Sequence, residues 1–446
     1  MRHRLFSNVL LIVILLKAST LCAQVIPVVV KKNGAGEFRL FRDGKEYYVK
    51  GGGGEEHWED LVSIGGNSVR TWNTDNAKQV LDNAQQLGLT VMLGMWMQHE
   101  RHGFDYDDTA KVHSQLERFR KVVLEVKDHP ALLMWGVGNE VDLFYTNTHV
   151  WKAVNDVAQM IHDIDPNHPT CTVTAGLDEE EVKLIKRDAP AIDIYGINTY
   201  GDLENVKNNL RRFGWDGPYI ITEWGPNGHW EVDKTNWAAP IEQSSSEKAI
   251  VYEERYKEGI LADKAHCIGS YVFLWGQKQE TTSTWYGLFS QNGMRSQAID
   301  VLADEWSSDK DRNKAPIVDQ LRFVAKSNRE AIILSMDSLY DVNVMVSDPD
   351  KDKLKGYWFV IPESTDIREG GDAEAAPEPI GGLFRKRGLD HAKFKCPEIP
   401  GSYRIFYFVF DQKGHYGYAN LPFYVLSDEQ AHRPAKFVRI KTQTMP

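Results

Sequence analysis

Two apolar runs in this chain end on a glutamate. Ala131-Leu132-Leu133-Met134-Trp135 passes through two glycines to Asn139 and Glu140, and Tyr219-Ile220-Ile221-Thr222 runs straight into Glu223. Removing one partner of a buried ion pair costs about 3–5 kcal/mol, so a carboxylate in such a place needs a partner or a task. A single strand-end glutamate is more often a salt-bridge partner than a catalyst. Two that face each other can do glycoside chemistry: one, protonated, gives its proton to a leaving oxygen, and the other, ionised, attacks the sugar carbon. Burial and mutual repulsion raise one pKa of such a pair. Arg70 and Tyr200 are candidates to keep the other carboxylate charged.

Positioning that pair requires a scaffold with many strand ends at one rim. Between about residues 46 and 307 eight apolar runs alternate with helical patterns: 47–54, 67–72, 90–97, 131–140, 170–176, 192–200, 218–225 and 267–275. The runs are nearly continuous, as expected of strands buried on both faces. Val150, Val154, Val157, Ile161 and Ile164 recur at helical spacing between them, as do Leu116, Phe119, Val122, Val123 and Val126. Residues 244–266 read as another helix, with serines at its start as caps. Eight such units in this length predict an α/β fold, a (β/α)8 TIM barrel, whose site lies at the C-terminal ends of the strands. The residues expected there are Arg70, Trp72, Trp96, His99, Asn139, Glu140, Tyr200, Glu223, Trp224 and Trp275. Glu140 ends strand four and Glu223 strand seven, nearly opposite each other. Trp58, Trp96, Trp224, Trp230 and Trp285 are expected to line an open cleft, because indole faces stack on the apolar C–H face of a pyranose. A doubly wound nucleotide-binding sheet is the competitor. The glycine run 51–54 lacks the helix entry of a phosphate loop and leads into Glu55 and Glu56, so it reads as a tight, close-packed loop.

Ahead of the barrel, Asp43-Gly44 supplies the two-residue turn of a hairpin over 37–50. After it the pattern changes. Residues 308–316 are polar and read as a linker, and 317–446 as a small C-terminal antiparallel β-sandwich of immunoglobulin-like type. Within it, 368–379 is a soft acidic loop. The barrel with its hairpin is assigned to 24–307.

The 446 residues carry 42% apolar side chains, enough for a sizeable core, and a net charge of −11, which argues against nucleic acid or another polyanion as partner. Arg2, His3 and Arg4 followed by an apolar Val9–Leu16 read as a signal peptide over 1–23, with cleavage expected after Ala23 and a secreted, periplasmic or cell-surface destination. Leu21 stands where lipoprotein signals carry a small residue, so attachment of lipid at Cys22 is not the favoured reading. No later segment reads as a membrane span. Cys171, Cys267 and Cys396 form no disulfide framework. Asp348, Asp350 and Asp352 read as a solvated turn, and His99 and His102 lack a third ligand at zinc spacing. No metal or other cofactor is expected, and a monomer is.

The motifs 135–140 (WGVGNE) and 220–225 (IITEWG) resemble the acid/base and nucleophile signatures of the clan A retaining glycoside hydrolases, with 41–53 and 68–72 similar to that clan's first two strands. The resemblance covers roughly 37–307. It implies Glu140 as general acid/base, Glu223 as nucleophile, and Asn139 as a ligand of the sugar 2-hydroxyl. It also implies Arg70 and Tyr200 on the nucleophile and Trp275 as the floor of the sugar subsite. A short barrel with one C-terminal immunoglobulin-like domain looks similar to bacterial secreted endo-β-1,3-glucanases. An endo-acting β-1,3-glucanase is therefore the first expectation, with carboxyls about 5–5.5 Å apart as retention requires. The alternatives are an exo-acting β-galactosidase-, β-glucuronidase- or β-mannosidase-like enzyme, a β-glucan transglycosylase, and a non-catalytic glycan-binding protein. The exo-acting relatives usually carry sandwich domains before the barrel, where this chain has only about 20 residues. The partner in every case is an oligosaccharide or polysaccharide.

Overall fold

The computed structural model describes residues 25–427 except 325 and 327. The signal-peptide and Cys22 readings, and the tail after 427, lie outside the described residues.

Eight parallel strands close into a barrel: β1 (Val49–Gly53), β2 (Ser68–Arg70), β3 (Thr90–Met95), β4 (Leu132–Val137), β5 (Thr170–Ala175), β6 (Ile194–Asn198), β7 (Tyr219–Trp224) and β8 (Cys267–Val272). All eight fall within the runs read from the sequence. The valine-rich helix is His149–Ile164, and the one read from Leu116 to Val126 is longer, Thr109–Val126. Ser244 caps helix Ser245–Glu254 in a capping box with Glu247, and the coil continues as a wider turn over Arg255–Ile260.

The glycine run is strand, not loop. A Cβ on Gly51 would stand 2.2 Å from Tyr271 Cδ1, and one on Gly52 2.8 Å from Trp275 Cγ. Two large rings from the β8 side fill the space that side chains on β1 would otherwise occupy, Tyr271 on the interior face and Trp275 on the other. The N-terminal end of the barrel is plugged from outside. Val28–Lys32 pairs antiparallel with Phe38–Arg42, and their Val28 and Leu40 pack on Val49, Leu133, Ile194 and Ile268. The turn at Asp43-Gly44 has φ of 51° and 71°, as a two-residue hairpin of this kind demands.

The C-terminal region has two four-stranded sheets. One runs in the order Arg322–Phe323, Leu339–Asn343, His391–Lys395, Phe384–Arg387; the other Ile333–Ser335, Tyr416–Leu426, Gly401–Phe410, Lys355–Pro362. Ile405, Tyr407 and Val409 point into the sandwich core with Phe394 and Phe423. Their neighbours alternate to the other face, and Arg404 and Phe406 there are fully buried. That face meets the barrel. Lys248 Nζ reaches Glu242 Oε1 at 2.6 Å and the carbonyls of Thr284 and Trp285. Glu242 Oε2 accepts from Asn420 Nδ2 at 2.6 Å, and Asn420 Oδ1 accepts from Arg404, which ion-pairs with Glu363 and donates to the Pro240 carbonyl. Burial opposes the charge on Glu242, but Lys248 and Arg404 hold its pKa below the usual range. The polar run after the last barrel helix is itself tied down: Arg312 and Lys314 both ion-pair with Asp304, and Asn313 donates to Asp411. At 348–352, Asp348 Oδ1 accepts the amides of Asp350 and Asp352, and Lys413 pairs with Asp352 at 2.7 Å.

Candidate active site

At the C-terminal rim of the barrel lies a pocket of about 750 Å³. Glu140 and Glu223 both open onto it, with Trp72, Trp96, Asn139 and Tyr200. β4 ends before the glutamate. Gly138 has φ 79° and Glu140 itself φ 47°, a left-handed backbone that is uncommon for a side-chain-bearing residue and clusters at functional sites. The Glu140 amide still donates to Val173 O on β5 at 2.9 Å, so the turn is anchored to the sheet.

Glu223 sits among donors. Arg70 Nη1 reaches its Oε1 at 2.8 Å, Trp72 Nε1 the same oxygen at 2.9 Å, and Tyr200 OH its Oε2 at 3.3 Å. A set made only of donors suits an acceptor carboxylate. The guanidinium is buried behind the glutamate, and it also donates to Thr222 O at 2.8 Å and to Asn139 Oδ1 at 2.5 Å. Asn139 Oδ1 receives a second bond from Asn198 Nδ2 at 3.2 Å, which leaves the Asn139 amide nitrogen as that side chain's remaining polar atom.

Glu140 is treated differently. Its one side-chain donor is Asn198 Nδ2 at 2.8 Å, held in that orientation because Asn198 Oδ1 accepts from Thr222 Oγ1 at 2.8 Å. Burial, then the facing charge of Glu223, push the Glu140 pKa up to about 8. Asp142 adds to the push; burial raises its own pKa, and its oxygens accept the Ala175 amide. The two glutamates thus occupy opposed environments, one suited to holding a proton and one to accepting hydrogen bonds.

Several residues expected at the rim are not in the pocket wall. Trp224 is buried outside the barrel against Tyr252 and Tyr256. Trp275 is buried away from the pocket wall against Phe289, its indole N–H on His57 O at 2.9 Å, and so does not form an exposed floor. Trp285 is buried with its N–H on Asn227 O, and Trp58 with its N–H on Gly54 O. His99 is 1% exposed; it stacks on Trp96 at 4.7 Å between ring centroids and accepts from Arg101 Nε at 3.2 Å. Burial, then the charge of Arg101, lower its pKa to about 4. Its contact is with the ring that lines the pocket. Of the five tryptophans expected in an open cleft, Trp96 and Trp230 line the pocket, so the row of indoles for a polymer is absent.

One wall comes from elsewhere in the chain. Glu369, Gly370, Gly371 and Asp372, from the acidic loop of the C-terminal region, close over one side of the pocket. Arg101 grips Asp372 with two nitrogens, at 3.0 and 3.2 Å, and His102 Nε2 lies 3.2 Å from the same carboxylate. Lys278 Nζ donates to Gly371 O at 2.6 Å and the Thr281 amide to Glu374 at 2.6 Å. Gly370 has φ 63°, and a Cβ there would be 2.6 Å from Leu143 Cδ2, so glycine is what lets the strap lie this close. The adjacent glycines among acidic residues were the one signal of it in the sequence.

Residues 58–229 match the family described as glycosyl hydrolases family 2, TIM barrel domain. Among characterised proteins the chain is 22% identical to a β-glucuronidase of Sus scrofa over 270 residues, covering 53% of this chain and 38% of that one. It is 25% identical to a β-galactosidase of Bacteroides ovatus over 205 residues, covering 38% and 23%. The chain spans less than half the length of these curated relatives. Among solved structures, a β-D-glucuronidase of Dictyoglomus thermophilum superposes with a TM-score of 0.50 at 19% identity, over 64% of this chain and 54% of that one. One of Bifidobacterium dentium does so with 0.50 at 18%, over 64% and 50%. These similarities do not support the expected kinship with endo-β-1,3-glucanases: the relatives matched are named β-glucuronidase and β-galactosidase.

Proposed function

We propose that the chain is a retaining β-glycosidase that removes terminal sugars, the exo-acting reading among those raised by the sequence. The observation that carries it is the strap: residues 369–372 close a side that a polymer-binding cleft needs open. In the proposed reaction Glu223 attacks the anomeric carbon while Glu140 protonates the leaving oxygen, giving a glycosyl-enzyme. Glu140 then takes a proton from water, which attacks the same carbon and frees Glu223. The Asn139 amide nitrogen donates to the sugar 2-hydroxyl, Tyr200 and Arg70 hold the nucleophile, and Trp72 and Trp96 flank the ring. The amino-terminal apolar stretch supports export as the setting.

The test is hydrolysis of 4-nitrophenyl β-glycosides beside laminarin, with NMR of the first-formed product. The proposal expects release of nitrophenol, the β-anomer first, and laminarin cut from its ends if at all. Internal cleavage of laminarin, or the α-anomer first, would overturn it.

A further inference from the structure

We propose that the pocket takes a glycoside of an uncharged sugar and rejects uronic acids, with Glu280 and the strap carboxylates as the discriminating groups. The inference rests on the glycosidase reading. Many of the matched relatives are named β-glucuronidases, so a carboxylated sugar is the substrate their names would suggest. A uronate entering a closed pocket leaves its water behind and needs a cation in exchange.

The wall offers almost none. Apart from the two catalytic candidates it carries Asp202, Glu231, Glu280, Glu369 and Asp372, against Lys278 and His229. Lys278 is the one aliphatic ammonium in the wall, and it is taken: its Nζ lies 2.9 Å from Glu280 Oε2 and donates to the Gly371 carbonyl at 2.6 Å. Glu280 is buried, and so is tied to that lysine as its counter-charge. Burial, then Lys234, disfavour the charged form of His229. Arg101, behind the strap, is committed to Asp372 by two bonds. Lys278 and Arg101 are therefore already paired with protein oxygens, the charged form of His229 is disfavoured, and the surplus is negative. Hydroxyls have no such difficulty: they donate to the same carboxylates and accept from the Asn139 amide.

The test is a panel of 4-nitrophenyl β-D-galactoside, β-D-glucoside, β-D-mannoside and β-D-glucuronide at pH 6.5. The expected result is a kcat/KM for the glucuronide about 100-fold or more below that of the best neutral sugar, the scale of like-charge rejection in a closed site. Glu280→Gln frees Lys278 and removes a repelling charge, so it should narrow that ratio by about tenfold. A glucuronide turned over as well as the best neutral glycoside overturns the proposal. So does a Glu280→Gln variant that leaves the ratio unmoved while the neutral sugars still turn over. Binding is read separately, as the rise in Tm with glucono-1,5-lactone against saccharo-1,4-lactone. Preference for the acidic lactone refutes the specificity even in a protein that cleaves nothing, whereas failure of all four glycosides with the neutral lactone still preferred refutes the glycosidase reading alone.

Discussion

Replacing Glu140 by glutamine should stabilise this protein at neutral pH while removing the proposed glycosidase activity. The side chain is half-buried at the pocket wall, and the desolvation of its carboxyl with the facing Glu223 raises its pKa from 4.5 to about 8. In the unfolded chain the carboxyl ionises near 4.5; in the fold it stays protonated until about pH 8. The folded state therefore loses stability relative to the unfolded one as pH rises from 4.5 to 8, at about 1.36 kcal/mol per pH unit. At pH 7 the accumulated penalty is on the order of 3 kcal/mol, and below pH 4.5 it vanishes. Glutamine is close in shape, cannot ionise, and its carbonyl still accepts from Asn198. Urea unfolding of wild type and Glu140→Gln at pH 4.5 and at pH 7 measures the difference. The expected result is near equality at the lower pH and a variant more stable by roughly 2–3 kcal/mol at the higher. A variant of equal or lower stability at pH 7, or an advantage that does not change with pH, would refute the environment assigned to Glu140.

In the proposed reaction the same residue would set the alkaline limb: kcat/KM should fall as pH rises through about 8, where the Glu140 proton is lost, and a pH profile that stays flat to pH 9.5 contradicts its role as acid. Glu223→Ala should lower kcat by about 10⁴-fold or more, since no other carboxylate accepts bonds from Arg70, Trp72 and Tyr200; near-normal turnover would put the nucleophile elsewhere. Asp372→Ala removes the oxygens that Arg101 and His102 hold, so KM for small glycosides should rise several-fold with little change in kcat, measured by steady-state kinetics. Lys248→Met leaves Glu242 buried without its ammonium and should cost about 3–5 kcal/mol in urea unfolding.

The parts of the site that lie along the strands were legible in the sequence. Glu140, Glu223, Arg70 and Asn139 sit at or next to the ends of apolar runs, and a closed parallel barrel brings such ends to one rim whatever else the chain does. The tryptophans were not legible in the same way. Trp224 follows Glu223 directly, and neighbours on a strand point to opposite faces, so one reaches the pocket and the other the helices outside. Trp275 and Trp285 lie beyond the end of β8, where the period of two no longer says which way a side chain turns. The glycine run looked like a loop because its reason, the rings of Tyr271 and Trp275, arrives some 220 residues later. The strap was hidden for the same reason: Arg101 and Asp372 meet across 271 positions of chain, and neither shows a local pattern that names the other.

The joint between the two regions bears on how such a chain could have arisen. A face of the sandwich sheet that buries Arg404 and Asn420 against Glu242 and Lys248 is not a surface that tolerates a new neighbour. A barrel cut free at residue 307 would bring an ionic cluster into water and lose one wall of its pocket at once. The piece that recombination could move intact between genes is therefore barrel and sandwich together. Homologues are expected to gain or lose segments at the plugged N-terminal end, far from the rim, more readily than at this seam.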